Sequence, residues 1–167
     1  MKPSNPVLWE IWRPKTKLWT PEDGPWLGPR ELVERVQGHN LRTLAGADWQ
    51  AGQMSGAAAD KRATWIALTA DTTQTINDAQ TSLTGEETTN GLARSTSAGT
   101  FTHAGGGATL YTVARTFTYT GGSPIVLTRS ALFAASAGAP MVFFAAFGAT
   151  ATLVAQDQVT TSWQINI

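Results

Sequence analysis

The chain has 167 residues, no cysteine, and twelve basic against twelve acidic side chains, which excludes disulfide frameworks and thiolate zinc sites and leaves no large basic field for nucleic acid. Its longest apolar run, 141–147, is strand-sized, far short of the roughly 18–20 residues of a membrane helix. From residue 88 onward only Arg94, Arg115, Arg129 and Asp157 are charged, and so little charge on a β-rich chain predicts a subunit whose surfaces and edges meet other protein.

Residues 1–62 hold nine of the twelve basic residues, seven of the twelve acidic ones and five of the seven tryptophans. The composition predicts three segments: an extended N-terminal arm over 1–28, a short helical linker region over 29–61, and a β-sandwich body over 62–167. The chain starts without the apolar core of a secretion signal, so no leader is expected. Along the arm, Pro3, Pro6, Pro14, Pro21, Pro25 and Pro29 forbid a continuous helix and disfavour a central strand. Trp9, Trp12, Trp19 and Trp26 need cover and are the candidate partner-interface residues. The arm either folds back on its own domain or lies across a neighbour.

After Pro29, residues 30–37 (RELVERVQ) place Leu32, Val33 and Val36 on one side, with Gly38 as a stop, which predicts a short helix. A second helical piece is expected within 41–59, with Leu44, Trp49 and Met54 facing inward.

The remainder reads as β. Val159, Thr161, Trp163 and Ile165 alternate with Thr160, Ser162 and Gln164, and 109–120 alternates likewise, as half-buried strands do. Further strands are expected at 63–70, 91–94, 100–103, 125–133, 140–147 and 149–155, divided by turn signals such as Asn90-Gly91 and 121–124. Such short strands predict an antiparallel sandwich, jelly-roll or immunoglobulin-like. Its expected core is Trp65, Leu68, Leu110, Phe117, Leu127, Leu132, Phe133, Phe143, Phe147, Leu153, Trp163 and Ile165. Arg115 is expected to snorkel at the sheet margin.

Catalytic constellations are not visible: no nucleophile elbow, phosphate loop or dinucleotide fingerprint occurs, and no enzyme activity or cofactor is expected. Of the two histidines, His39 is assigned to a helix end and His103 to a strand end. Asp71, Asp78, Glu86 and Glu87 share one loop-rich region, where a Ca²⁺ site competes with a solvated loop. Arg13, Lys15 and Lys17 beside Trp12 and Trp19 could stack on a single strand of nucleic acid, but Glu10, Glu22 and Glu31 dilute that charge. A carbohydrate-binding β-sandwich is the rival reading from another class.

Thr81-Ser82-Leu83-Thr84-Gly85-Glu86, then Asn90-Gly91-Leu92-Ala93-Arg94, Ala131-Leu132-Phe133-Ala134, and Val159-Thr160 with Trp163-Gln164-Ile165 resemble a group of small virion proteins of tailed bacteriophages. In that group a Leu-Thr-Gly-Glu loop precedes an Arg-bearing strand, a Phe-containing strand lies midway, and a Gly-Asp turn introduces the last strand. Here Ala134-Ala135 replaces an Asn-Ala pair and Gln156-Asp157 replaces Gly-Asp. The resemblance covers about residues 40–167 and leaves the arm aside. It implies a virion structural protein, by preference a capsid decoration (cement) protein, otherwise a head-fibre, tail or baseplate component. The implied partners are the major capsid protein and further copies of the chain, as a homo-oligomer with the trimer preferred, and the implied location is the virion. On this expectation, removing 1–28 leaves a folded body that no longer binds the shell.

Overall fold

Alternation of apolar and polar side chains decides most of the architecture. The computed structural model describes residues 6–14, 29–55, 62–75, 77–97, 99–104, 108–138 and 140–166. These form β1 (Pro6–Pro14), β2 (Arg30–Arg42), α1 (Leu44–Ser55), β3 (Trp65–Thr69), β4 (Ser95–Thr96), β5 (Thr100–Ala104), β6 (Ala108–Thr118), β7 (Ile125–Phe133), β8 (Met141–Leu153) and β9 (Gln158–Asn166). All the pairings are antiparallel, in the order β4-β3-β7-β8-β2-β1-β9-β6-β5.

The sheet folds over to make the expected antiparallel sandwich. Its two end strands, β4 and β5, are four residues apart in the chain, so they lie within about 14 Å of each other. The enclosed core joins Val7, Trp9 and Ile11 of β1, Val113 and Phe117 of β6, and Val159, Trp163 and Ile165 of β9 to Ile66, Leu68, Leu127, Leu132, Val142 and Leu153. Contacts across it are specific. The Trp163 indole N–H donates to Ser130 Oγ at 3.3 Å, the Phe143 and Trp163 rings are 6.4 Å apart, and Trp9 meets Phe147 edge to face.

Three expectations are corrected. Residues 30–37 are strand, within β2, because an eight-residue helix is below the length that sustains itself, whereas β2 pairs along its length with β1 and at 39–42 with β8. Residues 6–14 are likewise an interior strand, β1. Pro6 and Pro14 stand at its ends, where they break no ladder, and Val7, Trp9 and Ile11 alternate inward between them. Residues 91–94 form a turn, and the neighbouring strand, β4, starts at Ser95.

The helix within 41–59 is present as α1, with a different inner face. Thr43 caps it, accepting from Gly46 N at 2.9 Å and donating to Met141 O. Gly46 is its buried residue, and a side chain there would strike Val142. The helix therefore lies on β8 through backbone, and Leu44 and Met54 are exposed while Trp49 is half-buried. The two strands expected over 140–155 are one, β8, with three extra residues opposite the break between Leu127 and Arg129.

Candidate functional site

The two outer faces of the sandwich differ. Outside β3, β7 and β8, the loop 70–94 lies as a cover: Leu83 joins Ala67, Ala131, Phe133, Met141 and Phe144 in a second buried cluster. Polar side chains hold it down. The buried Gln74 amide donates to Ser82 O and accepts from Thr84 N. Asp71 Oδ1 accepts from the backbone N–H groups of Gln74 and Thr73, and these bonds keep its carboxyl below the ordinary carboxylate range. Arg129 donates to the carbonyls of Asp71 and Thr72. Arg94 grips Glu86 through Nε (2.8 Å) and Nη2, with its guanidinium 3.6 Å from the Phe133 ring centre.

Outside β2, β1, β9 and β6 the described residues form no such cover. Rows of side chains run across these strands: Leu32, Trp12, Gln158 and Thr118; then Arg35, Glu10, Thr160 and Thr116; then Leu8, Ser162 and Ala114. Thr116 and Thr160 hydroxyls bond at 2.8 Å, and Gln158 Nε2 donates to Thr118 Oγ1 at 3.1 Å. The only charges in these rows are Glu10 and Arg35, paired at 2.9 Å. These rows are rich in hydroxyls, and their two charges cancel.

One end of this face carries a buried lock. Asp157, fully buried, takes Arg13 through Nε and Nη2 and accepts from Val154 N; the bond to Asp157 raises the Arg13 pKa. Arg30 donates to Gln156 O, and its burial lowers its own pKa. Sequence reasoning missed this lock. Its signal was available, since Asp157 is the only acid after Glu87 and a lone acid in an apolar segment needs a partner.

The four tryptophans assigned to a partner interface separate. Trp9 is fully buried in the core of its own chain, which removes it from any external contact in this arrangement. Trp12 is half-buried on the open face, and Trp19 and Trp26 lie outside the described residues. His39 is in β2, opposite Ala146, rather than at a helix end; His103 is in β5, as expected. Asp71, Asp78, Glu86 and Glu87 are not brought together: among the described residues no three acidic or histidine side chains could share a metal ion. Arg115 is exposed on the part of β6 that extends past β5, the marginal position expected for it.

One sheet edge is covered by the chain's own body. Beside β3 the edge is closed by β4, by Glu87 N bonding Leu68 O at 2.9 Å, and by the bridge between Thr69 and Glu86. No helix among the described residues is long and apolar enough to cross a membrane. Comparison with protein-family models, curated proteins and solved structures finds no match.

Proposed function

We propose that this chain is a structural subunit of a tailed-phage virion, by preference a capsid decoration protein, that joins copies of itself and capsid subunits through the open face of β2, β1, β9 and β6. The observation that carries this reading is the contrast between the faces. One is sealed by loop 70–94, and the other offers four strands of hydroxyls, amides and half-buried apolar side chains whose rows carry one charge pair, Glu10 with Arg35. Rows without a net charge are cheap to desolvate against protein, and repetition over a shell multiplies weak contacts. The motifs that resemble phage virion proteins build the cover and the last strand, so the resemblance bears on the framework that presents this face.

Thr116→Glu together with Ser162→Lys tests the proposal. Both side chains point outward, so the urea midpoint should hardly move. Light scattering should show the oligomer reduced to monomer, and binding to undecorated expanded capsids should fall at least about tenfold, the equivalent of 1.4 kcal/mol. Full occupancy by the double variant would sink the proposal. Labelling of intact particles then separates shell from tail. A glycan-binding reading draws on Trp12 standing beside Gln158 on this face, and saturable quenching of tryptophan fluorescence by glycans, lost in Trp12→Ala, would favour it.

A further inference from the structure

We propose that β1 is exchanged between copies, residues 6–14 of one chain filling the gap between β2 and β9 of another. The inference does not depend on where the copies assemble. Two observations carry it: the place of β1 in the sheet and the length of its tether.

In the sheet, β1 is the element that makes β2 and β9 neighbours. It pairs with β2 from Pro6 to Pro14 and with β9 from Val7 to Trp12. Val7, Trp9 and Ile11 fill the core beneath it. Without them the receiving body keeps two unpaired strand edges over an apolar trench. An isolated β1, in turn, has two edges and three large side chains to cover. Each is the other's complement, in the manner of a peptide added to a sheet.

Among the described elements β1 is the first in chain order, and a single segment, residues 15–29, joins it to β2. The tether is the second point. Pro14 lies opposite Arg30, a hairpin end that two to five residues ordinarily close, yet residues 15–29 intervene. Fifteen residues reach about 50 Å at full extension, and a chain of this length folds to a diameter of roughly 40 Å. The tether therefore reaches a neighbour's slot.

Every contact of β1 is identical whether the body that receives it is its own or another's, so tether and local concentration set the balance. The grip of Arg13 on Asp157 fixes the register of the incoming strand in either case.

The absence of cysteine makes the test direct. Leu8 and Ser162 face each other across β1 and β9 on the outer side. Chains carrying Leu8→Cys and chains carrying Ser162→Cys, with different tags, are co-expressed and treated with a short bis-maleimide; tryptic peptides are read by mass spectrometry. Exchange joins residue 8 of one chain to residue 162 of the other, in about half of the dimers if exchange is reciprocal in pairs, and the yield rises with concentration. The double variant Leu8→Cys/Ser162→Cys reports on the same bridge within a chain. Bridging confined to the double variant, within one chain at every concentration, would overturn the proposal.

Discussion

Asp157 and Glu10 each hold an arginine, and burial separates what the two pairs contribute. Asp157 is inaccessible and its carboxylate takes both Arg13 and Val154 N. Replacing it by Asn should cost about 2–3 kcal/mol in urea denaturation, because the arginine side loses a bidentate partner and a buried bond goes with it. Glu10 is half-buried and its partner Arg35 is exposed, so Glu10→Gln should cost less than about 1 kcal/mol. Asp71 adds a pH signature. Its folded pKa is depressed by bonds from Gln74 N and Thr73 N, so its stabilisation is present above the unfolded value, near 4, and is lost as pH falls through the folded one. The gap in urea midpoint between the parent chain and Asp71→Asn should be wide at pH 7 and close below about pH 4. Should the gap stay constant with pH, these bonds do not stabilise the charged form.

At the scale of elements, β1 and α1 make opposite demands. Trp9→Ala removes the largest side chain of β1 from the core and should cost about 3–5 kcal/mol. Deletion of residues 1–14 should leave no cooperative unfolding transition by circular dichroism, contrary to the separable arm that proline density suggests. Gly46→Ala should instead push α1 off β8, loosening the helix while the sheet still melts cooperatively. The β elements with strict alternation were legible: β7 has the expected bounds, and β9 buries Val159, Thr161, Trp163 and Ile165 as its period of two requires. β2 was not, because the spacing of Leu32, Val33 and Val36 also fits a helix and only the pairing with β1 and β8 decides. The open face was legible in part. Thr160, Ser162 and Gln164 were read as the polar side of the last strand, but Glu10 and Trp12 join them only through the pairing of β1 with β9, a long-range event that local pattern does not encode.

For the whole molecule, scarcity of charge takes on a local meaning. Of the four charges after residue 88, Asp157, Arg94 and Arg129 are consumed internally, by Arg13, by Glu86 and by the loop at Asp71, and Arg115 alone stands exposed, on the length of β6 past β5. An arginine on an edge that no described strand pairs discourages strand addition there, so growth by edge pairing is suppressed while the open face stays available. Arg115→Val should raise aggregation on heating with little change in urea midpoint, and an unchanged light-scattering onset would count against this role. The pairing of β1 with β9 sets Val7 opposite Trp163, on strands that most of the sequence separates. A nascent chain on the ribosome therefore holds an unfilled core until β9 emerges, and any product that stops before β9 leaves Trp9 without its neighbour. Such loops close late and slowly. Synthesis through β9 becomes the condition for folding, so chains ended before it are barred from assembly by their own topology.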